Sequence, residues 1–303
     1  MPTIPVLGVP HTYDLTAPTQ NQTVLVFIHG WMLSRNYWKP LIEQLAPDYQ
    51  CLSYDLRGFG ESQPEPSFRF DPIVPVSSDR GSVAVVAPPT MAQYSLLSYA
   101  KDLGILLRQL QISQAWLIGH SLGGYVALWG ADQLPDPVKG VICLNSGGGI
   151  YLKEAFERFR SAGQQMVKLR PRWLARVPGL DLMFTRANVA SAIDRTWGRQ
   201  RLIDFVSADA EAAVGTLLDS TTEAEVHRLP QVVSRLSQPV YFVAGAKDSV
   251  MEPKYVRHLA SFHPSFRQCG DNVHEIPDCG HLAMVEKTEL VARHIRSILH
   301  EEG

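Results

Sequence analysis

The run Gly119-His120-Ser121-Leu122-Gly123-Gly124 sets a serine between two glycines, after a short apolar stretch (Ala115 to Ile118) and before a helix-like one (Tyr125 to Leu134). A G-x-S-x-G turn from strand to helix holds its serine in an uncommon backbone geometry that keeps the hydroxyl out of the core. Such a turn tolerates only small neighbours, and Gly119 and Gly123 supply them. The chemistry on offer is nucleophilic attack, with the Leu122 backbone N–H at the head of the helix aimed where an oxyanion forms. Gly-Ser-Gly turns are also common without any chemistry. A serine hydroxyl is a poor nucleophile at neutral pH, so the catalytic reading requires a base to take its proton and a carboxylate to orient that base.

Ten histidines are available, and position chooses among them. His281 directly follows the last strand-like run, in Asp278-Cys279-Gly280-His281-Leu282, where the glycine lets the loop bend. His258 and His294 fall within helical runs, and His227, His263 and His300 lie at or near helix ends. His120 adjoins the serine, but neighbours on a tight turn point apart. Asp248, which closes Gly245-Ala246-Lys247-Asp248 after the strand at Val240, is the acid best placed to reach His281. Asn145 occupies the other loop position from which an acid could come, and it is not an acid; Asp278 is the rival carboxylate.

Elements must carry these residues to one place. Thr23 to Ile28 is a continuous β-branched and apolar run, as a strand covered on both faces shows. It ends in His29-Gly30-Trp31-Met32, where the glycine lets the next N–H turn toward a crevice. Further strands are expected at Gln50 to Tyr54, Ala115 to Ile118, Val138 to Leu144, Pro239 to Gly245 and Asn272 to Ile276. Helices are expected at Tyr37 to Leu45, Leu96 to Leu110, after the elbow, at Lys254 to Phe262 and at Leu282 to about Leu299, and Ile4 to Leu15 reads as an edge hairpin. This alternation predicts an α/β fold, with a mostly parallel central sheet and helices on both faces.

Two stretches interrupt the core, expected over 1–149 and 230–303. Between about 63 and 90 a proline-rich segment with two apolar pieces predicts an inserted hairpin or loop. From 150 to 229 strand signals vanish, and a helix with Leu152, Phe156, Phe159 and Met166 on one side opens a helical lid. Trp173, Leu174, Val177, Leu180, Leu182, Met183 and Phe184, mixed with arginines, most simply pack that lid on the core; the sharper reading is a greasy channel or a membrane-touching surface.

Composition bounds the partners. Thirty acidic against 28 basic residues leave a net charge of −2, which gives nucleic acid no footprint. Four cysteines without C-x-x-C spacing suit a reducing compartment and no disulfide. With no run approaching the roughly 18 apolar residues of a membrane span, the chain is expected to be cytoplasmic or peripheral to a membrane.

With His29-Gly30, the Asp-x-Arg-Gly-x-Gly-x-Ser run at Asp55 to Ser62, the elbow at Ser121, Asp248 and His281, in the order Ser, Asp, His, the chain resembles the α/β-hydrolase fold superfamily, in its serine-nucleophile, lid-bearing, esterase- or lipase-like branch. The resemblance covers nearly everything outside the lid. It implies Ser121 as nucleophile, His281 as base and then acid, Asp248 as orienting carboxylate, and the N–H groups of Trp31 and Leu122 as the oxyanion hole. Asp55, Arg57 and Gly58 match the family and read as structural. The 63–90 insertion is longer than usual there. A serine at the elbow argues against the dehalogenase and epoxide hydrolase branches, which carry an aspartate.

The leading expectation is hydrolysis of an ester of a hydrophobic small molecule through an acyl-enzyme, needing no metal or organic cofactor, with Trp31, Phe156, Phe159 and Met166 touching substrate. The alternatives are the same triad used for carbon–carbon bond hydrolysis, a lyase step or perhydrolysis, and, in another class, a ligand receptor with slow turnover.

Overall fold

The computed structural model describes residues 1–64, 93–148, 153–268 and 270–302. Its strands are β1 (Thr3–Val6), β2 (Val9–Leu15), β3 (Val24–Ile28), β4 (Gln50–Tyr54), β5 (Ala115–His120), β6 (Val138–Leu144), β7 (Val240–Gly245) and β8 (Val273–Ile276). They form one sheet in the order β1-β2-β4-β3-β5-β6-β7-β8. Only the N-terminal hairpin runs antiparallel to its neighbours; every pair from β4 onward is parallel. In β3, Val24, Val26 and Ile28 join one apolar cluster and Leu25 and Phe27 another, as period-two side chains must when both faces are covered.

Among the described residues the helices are α1 (Lys39–Leu45), α2 (Leu96–Gln109), α3 (Leu122–Gln133), α4 (Lys153–Lys168), α5 (Leu180–Phe184), α6 (Arg195–Ser207), α7 (Ala210–Ser220), α8 (Glu223–Arg235), α9 (Pro253–Ala260), α10 (Ala283–Glu286) and α11 (Thr288–Glu301). Residues of α2, α3 and α9 fill the cluster on one face of the sheet, and residues of α1 and α11 that on the other. The architecture is therefore the expected α/β sheet with helices on both faces. None of these helices is long and apolar enough to cross a membrane. Cys51, Cys143 and Cys279 are buried free thiols, and burial pushes Cys51 and Cys279 up to about 12.

Several boundaries shift by a residue or two from the sequence pattern, and two shifts have a clear cause. The elbow helix begins at Leu122 rather than Tyr125, because its glycines are helical and lie against the strands. The closing helix breaks at Lys287, just after Glu286 turns its carboxylate back onto main-chain N–H groups of the preceding loop. Most of the insertion expected at about 63–90 lies outside the described residues.

Helices α4 to α8 fall between β6 and β7, and the last of them runs on through Leu229 to Arg235. This segment meets the core through buried Asp204 and Glu225 and half-buried Asp219. Ser34 Oγ donates to Asp204 (3.0 Å), the Leu96 N–H to Asp219 (3.1 Å) and Trp129 Nε1 to Glu225 (2.5 Å). Burial disfavours the charged forms, so Asp204 is pushed up to about 7, Asp219 to about 6, and Glu225 upward, in spite of those hydrogen bonds. A carboxyl whose folded value is raised binds its proton more tightly in the native state, so stability falls as pH rises from the unfolded value toward the folded one. Asp204→Asn removes the charge while keeping a polar partner for Ser34. Its melting temperature, measured by calorimetry, is expected to exceed wild type by more at pH 8 than at pH 5.

Candidate active site

Steric crowding fixes Ser121. A β-carbon on Gly123 would press into the carbonyls of Ile28 and His29, and one on Gly119 into the Gly123 carbonyl, so the first turn of α3 sits directly against β3 and β5. Ser121 is left at φ 52°, ψ −118°, its N–H donating to the Leu144 carbonyl (3.0 Å). A non-glycine residue at positive φ is strained by roughly 1–3 kcal/mol, and persists only where its surroundings overdetermine it.

The sequence-predicted base and acid meet. His281 Nδ1 lies 2.7 Å from Asp248 Oδ2, and as the donor it leaves Nε2 as the ring's free base. Asp248 is buried after β7 and accepts from the N–H groups of Val250 (2.8 Å) and Met251 (2.9 Å) through its other oxygen. Burial pushes its carboxyl up, but the His281 ring, these N–H groups and the Asn145 amide together hold it below the usual carboxylate value. The rival Asp278 is 69% exposed and paired with Lys247, and is not part of this network.

Three residues the sequence reading passed over support the pair. Asn145 Nδ2 donates both to Asp248 Oδ2 (2.9 Å) and to the Gly280 carbonyl (3.0 Å), tying the β6 exit to the acid and to the histidine loop. Glu286 accepts from the N–H groups of Gly280, Leu282 and Ala190. His120 is fully buried with its ring 4.8 Å from that of His281, and its Nε2 donates to the His281 carbonyl (2.7 Å). Burial and the His281 charge drive His120 down to about 3, so it stays neutral and adds no second cation beside the base. His120, set aside in the sequence because it adjoins the serine, lines the same cavity as Ser121.

Ser121, Leu122 and His281 line a cavity of about 390 Å³, in the size range of small-molecule sites. Trp31 and Met166 line it too, while the side chains of Phe156 and Phe159 lie outside the described residues. The Trp31 indole N–H donates to the Ala213 carbonyl of α7 (2.9 Å), so this wall joins core and helical segment. Leu122, as the first residue of its helix, has a backbone N–H with no acceptor within that helix. Leu96, Leu217, Val226, Leu229 and Pro230 make most of the remaining wall hydrocarbon. Among the described residues no group of three or more His, Cys, Asp and Glu is placed to hold a metal ion.

The residues read as structural are so placed. Asp55 accepts from the Arg35 backbone and guanidinium and from the Glu61 N–H, and Arg57 pairs with buried Asp102. Buried His29 donates through Nδ1 to the Gly30 carbonyl (2.8 Å) and accepts the Leu56 N–H at Nε2 (2.9 Å), which fixes the β3 exit.

A sheet of this order with such a site belongs to a known family: the model of the alpha/beta hydrolase fold matches residues 23–288, and the chain is a member. It is 26% identical over 276 residues to 2-succinyl-6-hydroxy-2,4-cyclohexadiene-1-carboxylate synthase of Enterobacter sp. (strain 638), covering 91% of each. It is 23% identical over 281 residues to an uncharacterized hydrolase of Bacillus subtilis (strain 168), covering 91% of this chain and 89% of the relative. Among solved structures, a thermophilic esterase from Thermogutta terrifontis superposes with a TM-score of 0.71 at 21% identity, over 100% of this chain and 99% of the other. The enol-lactonase from Burkholderia xenovorans LB400 does so at 0.70 and 18%, over 99% and 100%. The structural likenesses establish the fold.

Asn145→Ala removes one donor from the Asp248 carboxylate and one from the Gly280 carbonyl, a loss on the scale of about 1–3 kcal/mol in a buried site. Because the folded value of Asp248 is depressed, its contribution to stability is present above the unfolded value and is lost as pH falls through the folded one. Without Asn145 that folded value rises, so acid unfolding, followed by circular dichroism, is expected to begin at higher pH than in wild type.

Proposed function

We propose that the protein is a serine hydrolase acting on an ester of a hydrophobic small molecule. The observation that carries this reading is the buried Asp248–His281 hydrogen bond beside a cavity that also holds Ser121 on its strained turn. Ser121 Oγ attacks the acyl carbonyl, His281 Nε2 takes its proton, and Asp248 steadies the imidazolium. The backbone N–H groups of Trp31 and Leu122 receive the oxyanion, where loss of one donor typically costs about 3 kcal/mol. His281 then returns the proton to the leaving alcohol, and water clears the acyl group by the same route in reverse. Helices α4 to α8 act as the lid, and their apolar wall selects hydrocarbon in the acyl or alcohol part.

Family membership and the fold shared with an esterase are consistent with hydrolysis. The relative from Enterobacter favours a second reading, since that protein is named a synthase: the same three side chains would then abstract a proton and expel a leaving group without an acyl-enzyme. A covalent intermediate separates the two.

Ser121→Ala is expected to abolish both fluorophosphonate labelling and turnover of p-nitrophenyl esters while leaving the melting temperature nearly unchanged. Labelling that persists on another residue removes Ser121 from the role. Asp248→Asn favours the wrong imidazole tautomer and is expected to lower kcat by roughly 10⁴, whereas Asp278→Asn stays within a few-fold of wild type. The reverse result would move the acid to Asp278. Catalytic efficiency is also expected to rise from acetyl to medium-chain esters, each buried methylene adding up to about 0.8 kcal/mol, and Leu229→Glu to flatten that trend. A strict preference for acetyl or charged esters would contradict the apolar channel.

A further inference from the structure

Apolar side chains gather at one corner of the helical segment without being buried. Six of the eleven large apolar residues exposed among the described residues fall between 166 and 203. Leu169 (73%), Trp173 (61%), Leu182 (51%) and Met183 (69%) lead them. They lie just past the end of α4, on a 3-10 turn at Arg172–Arg176, and on α5; the turn and α5 pack on one another and both pack on α6. The simplest expectation, that the apolar stretch from Trp173 to Phe184 packs inward, is not met for Trp173, Leu182 and Met183.

The charge around them is as uneven. Residues 168–203 hold eight lysines and arginines against two aspartates, in a chain that is slightly acidic overall. Asp181 is consumed by Arg195 at 2.6 Å. Exposed Lys168, Arg172, Arg176, Arg186 and Arg199 have no acid within ion-pair distance among the described residues. Interleaved exposed hydrocarbon and unpaired cations are poorly served by water alone. A second copy of the chain set against the same face would bring like charges together. A nucleic acid would satisfy the cations and leave Leu182 and Met183 in water.

We infer that this corner docks on an anionic lipid surface, with Trp173, Leu169, Leu182 and Met183 entering the boundary between headgroups and acyl chains and the arginines meeting lipid phosphates. Tryptophan favours that boundary, and basic side chains beside an apolar face are drawn to anionic leaflets. Met166 is partly exposed one helical turn from Leu169 and also lines the Ser121 cavity, so the docked face adjoins the rim of that cavity. The inference does not rest on what Ser121 does.

The test is cosedimentation of the full chain with vesicles of phosphatidylcholine alone or with about one-third phosphatidylglycerol. Partitioning is expected to be at least about tenfold greater on the anionic vesicles and to collapse near 0.5 M salt, roughly the concentration at which screening defeats surface charge. The double variants Trp173→Gln with Met183→Gln and Arg172→Glu with Arg176→Glu should each lose about tenfold or more with unchanged circular dichroism and melting temperature, while Ser121→Ala binds as wild type. Absence of an anionic preference, binding by both double variants at the wild-type level, or a wild-type dimer that these substitutions split into monomers would each overturn the inference.

Discussion

A carboxylate can be buried only where donors replace the water it gives up. Asp248 is in that position, and its donors come from three directions: its own loop at Val250 and Met251, the β6 exit at Asn145, and the β8 exit at His281. The loops that follow β6, β7 and β8 are therefore tied to the same pair of oxygens. The imidazole inherits its tautomer from this arrangement, and its main chain is held independently, by Asn188 at the N–H and His120 at the carbonyl. Orientation of one ring thus depends on residues spread across much of the chain. Such spread restricts the ring without requiring any one contact to be strong.

The strand exits share a second constraint. Met32, Ser121, Asn145 and Asp278, none of them glycine, all sit at positive φ, and all follow the carboxyl ends of strands. Each strained turn stores of order 1–3 kcal/mol, and the eight-stranded sheet with an apolar cluster on either face is what can hold them. The strain gathers at this edge, above an ordinary apolar core.

Much of this was legible in the sequence because it is local. Continuous runs such as Thr23 to Ile28 announce buried parallel strands, and Gly119 and Gly123 announce the turn at Ser121. His281 and Asp248 followed from standing just past strands. What stayed hidden depends on partners far along the chain: His120 meets His281, Asn145 meets Asp248, and Glu286 gathers N–H groups from two loops. Asp204 and Glu225 look like surface positions on polar helix faces, and only the approach of Ser34 and Trp129 makes them buried contacts. Trp173 and Met183 mislead in the opposite sense, since hydrophobicity in a sequence does not say which side of a helix meets the core.

The bonds from His281 N–H to the Asn188 carbonyl and from Ala190 N–H to Glu286 join the helical segment to the histidine loop. Lifting α6 away as a rigid body would take the loop that precedes it along, and with it the acceptor that steadies the His281 backbone. Access to the cavity and the placing of the imidazole would then be linked through the same main-chain bonds. A molecule that wedged the segment open would release the acceptor of the His281 N–H without touching the ring. One that held the segment in place would keep that acceptor where it is.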